Sequence, residues 1–218
     1  MDGSAILDNA PDLFTGLLLT LRLSILAACS ALALGALLAW ALHKGRPWLQ
    51  AVVRAYIDFI LGLPMLVLIY LLFFILPEYG ITLSSPVVGV TALTLYYGPY
   101  MAEVLRGAFA GIARGQYEAS AALGLRPFQA LRHVLLDQAL PVALPPSVGL
   151  LIGLIKDTAL LSVVGVEEFM YAAKQAISSS YAPLEIYLVV ALAYWLVTLL
   201  LDSAAGVLER RLNRHRLQ

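Results

Sequence analysis

Charge is scarce in this chain of 218 residues. Asp, Glu, Lys and Arg together make 13% of it, against 61% hydrophobic residues. Soluble domains carry about 25% charged and roughly 45–50% apolar residues, so a water-facing coat could not be built from this composition. Net charge is 0, which leaves no basic footprint for a nucleic-acid backbone. A single cysteine, Cys29, excludes an internal disulfide framework. The three histidines, His43, His133 and His215, are scattered, and no His-Glu-x-x-His is present. No metal site, cofactor or catalytic residue is therefore expected. A Gly-x-x-x-x-Gly-Lys-Ser/Thr phosphate loop is also missing. Asp2, Asp8 and Asp12 precede the first cation, Arg22, so no secretory leader with a positive n-region is expected. Apolar and polar residues do not alternate with period 2, which argues against a β-barrel.

What remains is long apolar runs. A helix needs about 20 apolar residues to cross roughly 30 Å of hydrocarbon. Five segments meet or approach that length, at about 14–42, 57–77, 83–106, 138–155 and 186–208. Lipid offers no partner to backbone N–H and C=O groups, so these segments are read as helices. Lys44, Arg46 and Arg54 come after the first run. None comes after the second. Arg114, Arg126 and Arg132 come after the third, Lys174 in the loop after the fourth, and Arg210, Arg211, Arg214 and Arg216 after the fifth. By the positive-inside rule this alternation places the N-terminus outside and the C-terminus in the cytoplasm. The expected fold class is an all-α integral membrane protein of five transmembrane helices. Its expected divisions are an outside segment 1–13, a membrane domain 14–208 and a basic tail 209–218.

The third loop, 114–137, is not plainly polar. Glu118 to Leu123 is a run of strong helix formers with the acid at the favourable end, and Gly124 is a natural stop. Pro127 suits the first turn of a second short helix, on which Phe128, Leu131, Val134 and Leu135 fall at helical spacing. Two readings are open from the residues themselves. The loop helix is a knob that docks on a cytoplasmic partner, or it re-enters the interface and packs on its own bundle.

Glu118-Ala119-Ser120-Ala121-Ala122-Leu123-Gly124, with Val134-Leu135-Leu136 nine residues further on, resembles the EAA loop of ABC importer permeases. Gly98 to Gly107, Gly115-Gln116-Tyr117-Glu118-Ala119 and Lys156-Asp157-Thr158-Ala159-Leu160 resemble flanking signatures of the polar amino acid branch. Four departures remove polar groups: Leu61 and Leu63 beside Gly62-Pro64, Leu68 in place of a frequent Gln, and Gly149 in place of a frequent Asn. The resemblance implies the type-1 ABC transmembrane fold. It also implies a cytoplasmic ABC ATPase dimer docked on Gly115, Gln116, Glu118, Ala119, Ser120 and Gly124. A second permease subunit and a periplasmic or lipid-anchored amino-acid-binding protein would complete the assembly. The rival reading is a small gradient-driven transporter or channel acting as a dimer.

An ionisable group at membrane depth needs a reason. Glu103 and Arg106 are three apart and can pair, or Glu103 faces a solute pathway. Arg22 is expected to snorkel outward, and Asp58 to pair with Arg54. Lys156 and Asp157 are neighbours and point about 100° apart on a helix. Asp157 or Thr158 is expected to cap a short helix from Ala159 towards Phe169. Glu103, Lys156 and Thr158 are the candidate pathway residues. Gly149 and Gly153 permit close helix approach. Pro141, Pro145 and Pro146 are expected to bend or interrupt the fourth span and so mark the pathway. Tyr96, Tyr97, Tyr100 and Trp195 are read as packing or interface anchors.

Overall fold

The structure, a computed structural model, describes residues 3–213; Arg214, His215 and Arg216 of the expected tail lie outside them. No strand occurs among the described residues. The chain runs through α1 (Gly3–Lys44), α2 (Pro47–Leu61) and α3 (Met65–Tyr70). A π-helical turn (Leu71–Ile75) leads to α4 (Leu76–Glu78). Next come α5 (Ser85–Ala110), α6 (Arg114–Ala122) and α7 (Pro127–Ala130). A second π turn (Leu131–Leu135) leads into α8 (Leu136–Asp157), which tightens into a 3₁₀ helix (Thr158–Val164). The last elements are α9 (Phe169–Ser180) and α10 (Pro183–Asn213).

At roughly 1.5 Å per residue, the 42 residues of α1 extend about 63 Å, twice a hydrocarbon core. The helix starts at Gly3 rather than near residue 14, so residues 3–13 continue without a boundary into the first apolar run. Packing explains the extension. Leu13 is buried in one core with Phe169, Ala173 and Ile186 of α9 and α10. Glycines let the helices touch. A Cβ at Gly16 would stand 3.0 Å from the Ala172 Cβ on α9, and one at Gly35 would stand 2.7 Å from the Met101 Cβ on α5. Along α1, α9 is thus held around Leu13 and Gly16, and α5 around Gly35.

Two interruptions fall elsewhere than the sequence suggests. The second apolar run is expected to be continuous over 57–77, but Pro47–Leu61 and Met65–Glu78 meet at 110°. Pro64 disfavours helical backbone at Leu63 and starts α3 from an extended conformation (φ −64°, ψ 135°). The fourth run shows the reverse. Pro141, Pro145 and Pro146 all lie inside α8, which stays helical past them. Each removes one N–H donor, but Leu135, Ala139 and Ala143 pack against Ala108 and Ile112 of α5 and its C-terminal end, and this packing holds the segment in place. The break comes later, where α8 becomes 3₁₀ at Thr158.

By length and composition, Ala5–Lys44, Pro127–Val164 and Pro183–Arg211 can each cross a membrane, and the bent pair makes a fourth candidate. The segment expected to span at 83–106 is the single helix α5 of 26 residues, about 39 Å long at 1.5 Å per residue. The Gly35 contact yields a test. Gly35→Val is expected to destabilise the purified protein by about 1–3 kcal/mol through overpacking. Gly149→Ala, whose Cβ meets nothing within 4 Å, is expected to be neutral or to stabilise by about 0.5–1 kcal/mol. Thermal unfolding in detergent reads both.

Candidate functional site: an exposed knob and a junction of broken helices

The segment α6 stands out from the bundle. Gly115, Gln116, Glu118, Ala119 and Gly124 are exposed. Ser120 is not: it is 3% exposed and donates to the Gln116 carbonyl at 2.7 Å. Its side of the helix faces the protein's own bundle, where Tyr117 donates to the Phe109 carbonyl at 3.1 Å. Of the six docking residues read from the sequence, Ser120 is therefore placed to anchor the knob rather than to present it. Gly124 ends α6 at φ +70°. Its N–H reaches the Ala121 carbonyl at 2.9 Å, and the Leu125 N–H reaches the Ser120 carbonyl at 3.1 Å. This pair of bonds closes the helix and requires a left-handed residue at 124, which glycine adopts without strain. The exposed face is small and mildly charged, with Arg114 and Glu118 paired at 2.9 Å. Two large apolar side chains, Leu123 (78% exposed) and Phe128 (68%), flank it. Sequence reasoning counts Leu123 as a helix former and places Phe128 at helical spacing with Leu131, Val134 and Leu135, because spacing alone does not say which apolar residues lack a neighbour.

Glu103 accepts from two guanidinium groups. Arg54 on α2 reaches it at 3.1 Å, and Arg106 one turn along α5 reaches it at 2.9 Å. Arg54 is thereby drawn to α5 and not to Asp58, the acid nearest to it in sequence. The triad ties α2 to α5 and does not share a cleft with Lys156.

The two breaks in the bundle pack on one another. Met65 and Ile69 of α3 share a core with Leu161 and Val164 of the 3₁₀ helix and with Ala92, Leu93 and Tyr97 of α5. Tyr97 donates to Asp157 at 2.8 Å across this junction. Gly153 makes room for that ring, since a Cβ there would lie 3.0 Å from the Tyr97 hydroxyl, whereas Gly149 faces open space. Lys156 points the other way, as neighbouring helical positions require. It lines a cleft of about 390 Å³ with Met170, Tyr194, Trp195 and Thr198 among others. Thr158 is fully buried, and its hydroxyl donates to the Ile155 carbonyl at 2.6 Å. The structure thus separates the three candidate pathway residues. Lys156 lines a cleft, Thr158 is spent on the backbone, and Glu103 is an inter-helix tie.

The short helix expected from Ala159 is the 3₁₀ helix Thr158–Val164. Asp157 stands at its N-cap position but makes no side-chain capping bond. The side-chain cap belongs to the next helix, α9, where it is Glu168. Its carboxylate is 0% exposed and accepts from the N–H groups of Met170 (2.9 Å) and Tyr171 (2.8 Å). Thr20 of α1 donates to it at 3.3 Å and accepts from the Phe169 N–H at 3.1 Å. The Tyr194 hydroxyl is buried beside Thr20, Thr158 and Glu168 without completing a hydrogen bond. The Val-Glu-Glu-Phe run has an acid just before an apolar helix, which is a legible cap signal. Two adjacent acids between apolar segments also read as loop charge, and that reading hides the cap. Glu168→Ala is expected to cost about 1–3 kcal/mol, combining a lost cap with unsatisfied buried donors. Thr20→Val is expected to cost less, about 1 kcal/mol. Chemical or thermal unfolding of each purified variant checks the order.

No group of three or more His, Cys, Asp or Glu side chains able to hold a metal occurs among the described residues. Residues 31–214 match the family model described as binding-protein-dependent transport system inner membrane component. The chain is 34% identical over 214 residues to the glutamine transport system permease protein GlnP of Escherichia coli strain K12, covering 97% of this chain and 98% of that protein. It is 34% identical over 207 residues to the L-cystine transport system permease protein TcyB of Bacillus subtilis strain 168, covering 94% and 88%. The fold superposes on a crystal structure of an amino acid ABC transporter with histidines, with a TM-score of 0.89, 29% identity and coverage of 97% and 99%. It also superposes on the inward-facing MetNI methionine ABC transporter, with a TM-score of 0.77, 22% identity and coverage of 92% and 96%. With its helical architecture and its glycine-terminated knob, this chain belongs to the family of binding-protein-dependent transport system inner membrane components.

Proposed function

We propose that this chain is a multi-pass membrane permease subunit of an ATP-driven importer for polar amino acids. It is not an enzyme, and a separate ATPase hydrolyses the nucleotide. Four features support the reading. Long apolar helices suit a membrane, a small-residue knob stands clear of them, relatives named for glutamine and cystine transport align over nearly the whole chain, and the sequence carries no phosphate loop. The knob carries the assignment. A nine-residue helix buries little apolar area, yet buried Ser120 and the Tyr117–Phe109 bond hold its inner side, and the Gly124 turn closes its C-terminal end. That is the construction of a rigid contact point.

The chain crosses the membrane five times, with α5 as the central span and the bent α2–α3 pair as the second. The N-terminus lies outside and the C-terminus in the cytoplasm, where the loop cations are concentrated. An ABC ATPase dimer docks on Gly115, Gln116, Glu118, Ala119 and Gly124, with Leu123 and Phe128 as apolar flanks. A second permease subunit completes the lumen, and an external amino-acid-binding protein delivers the solute. The path passes the junction of the Gly62–Pro64 bend and the 3₁₀ helix. Irregular backbone at membrane depth is tolerated where it lines a cavity, and interrupted helices are recurrent sites of solute contact. Lys156 lies at the edge of this path. Thr158 shapes its wall from within, and Glu103 fixes its inner end by holding α2 on α5.

Gly124→Pro replaces a φ of +70° by one locked near −65° and removes the N–H that bonds Ala121. Glu118→Lys reverses the sign opposite Arg114. In proteoliposomes holding permease, ATPase and binding protein, both variants should insert normally. Amino-acid uptake should fall at least tenfold while ATP hydrolysis persists. Uptake at the unaltered rate in either variant overturns the docking role of α6.

A further inference from the structure

We propose that Arg54 is an exchangeable latch between α2 and α5: Glu103 holds it in the observed state, and Asp58, one turn along its own helix, takes it when the inner end of α5 moves. The inference rests on the permease reading for what moves α5, and on the side chains alone for the exchange. The two oxygens of Glu103 are divided between two cations. Arg106 holds Oε2, with its Nε at 2.9 Å and its Nη2 also in reach. Arg54 holds Oε1 through a single Nη1 contact at 3.1 Å. Departure of Arg54 therefore leaves Glu103 paired. It does not strand Arg54 either. Asp58 stands at i+4 on α2, is exposed, and its carboxylate has no partner among the described residues. Side chains four apart on a helix are within reach of one another. Both cations thus stay paired in either arrangement, which differ only in the acid that Arg54 uses. An acid placed C-terminal to its cation is the weaker order for such a pair, in keeping with the hold of Glu103 while α5 is near. Side-chain exposures of 47% for Arg54, 45% for Arg106 and 26% for Glu103 make these weak, reversible pairs rather than a buried lock.

The neighbouring contacts decide what moves. The start of α2 is fastened to the end of α1: the Gly45 N–H bonds the Ala41 carbonyl at 2.8 Å, and the Gln50 side chain donates to the Gly45 carbonyl at 3.0 Å. Glu103 and Arg106 lie on the last turns of α5, and just beyond them the Phe109 carbonyl accepts from Tyr117 of the knob at 3.1 Å. A push on α6 is thereby delivered to the end of α5 that carries Glu103, while α2 stays with α1. Tyr56 donates to the Leu95 carbonyl at 2.8 Å, about 12 Å along α5 from Glu103 by helical rise, and serves as the pivot. Tilting α5 about that point draws Glu103 away from Arg54, and Asp58 receives the guanidinium with no loss of charge pairing. Because α2 runs through the Gly62–Pro64 bend into α3, the latch sets how the bent pair sits beside the junction of broken helices.

The test uses the chain assembled with its ATPase in proteoliposomes, with Cys29→Ala removing the natural thiol. Val53→Cys places a reporter between α2 and α5, where Val53 is 7% exposed and packs with Ile57 and Ala102. The readout is the alkylation rate of that thiol by a small maleimide. Without nucleotide, Glu103→Gln is expected to raise the rate at least threefold, because the latch loses its acceptor charge. Asp58→Asn is expected to lower it at least threefold, because the alternative acceptor is gone. The double change should fall between the two. A merely structural role for these acids moves the rate the same way in both variants. Shifts of one sign, or an unchanged rate in Asp58→Asn, overturn the exchange. Asp58→Asn alters an exposed side chain, so its rate decides the matter even if Glu103→Gln fails to fold. Trapping nucleotide with vanadate should raise the rate in the parent and much less in Asp58→Asn. Opposed shifts without nucleotide, combined with no response to trapped nucleotide, leave the exchange standing and overturn the permease reading that supplies its motor.

Discussion

Hydrocarbon gives nothing to a polar group, and the architecture is a response to that refusal. Each backbone donor and acceptor must be closed within a helix, by a side chain, or by a neighbouring element. Many polar side chains among the described residues obey this through short-range bonds. Ser24, Ser30, Ser147, Ser162 and Thr158 all return their hydroxyls to carbonyls three or four residues back. Polar side chains that reach further do so in pairs, such as Ser30 with Thr94 at 2.6 Å, or Tyr56 with the Leu95 carbonyl at 2.8 Å. Glu168 is the deepest instance: a carboxylate shut away from solvent is held by two backbone N–H groups and Thr20.

Glycine serves the same economy from another side. With little hydrophobic drive between helices in lipid, association depends on close van der Waals approach. Gly16, Gly35 and Gly98 each stand where a Cβ would collide with the facing helix. They make α1 a spine to which α9 and α5 are fitted at different heights. Gly153 does the same for Tyr97, which in turn reaches Asp157. Gly149 and Gly153 have the spacing of a packing pair, but the two members face different surroundings. The spacing states that they share a side of α8 and cannot state what lies opposite.

The features legible in the sequence are those set by local chemistry. Glu118 to Gly124 is a helix with a left-handed stop, Pro127 opens the next one, and Lys156 and Asp157 diverge. These depend on residues a few places apart. The features that escape a sequence reading depend on distant partners. Three prolines inside α8 look like a break, but packing on α5 holds the segment helical, while one proline at 64, with a glycine two places before it, turns the chain by 110°. Asp8 and Asp12 dilute the hydropathy of residues 3–13, which hides that α1 runs through them and that Leu13 packs on α9 and α10. Arg54 has a nearer acid in sequence, Asp58, and a better placed one in space, Glu103. Ser120 sits among exposed neighbours and is itself buried.

The length of α1 has a mechanical meaning. A rod of about 63 Å that packs on α9 around Gly16 and Thr20, and on α5 around Gly35, cannot change its inclination without moving both sets of neighbours. A rotation of about 5° around its midpoint displaces each tip by roughly 3 Å, taking the rise per residue as the yardstick. That is comparable to the distance over which a hydrogen bond is made or lost. Tilting one stiff beam is therefore enough to open contacts at one surface of the bundle while closing them at the other, with no helix in between needing to melt.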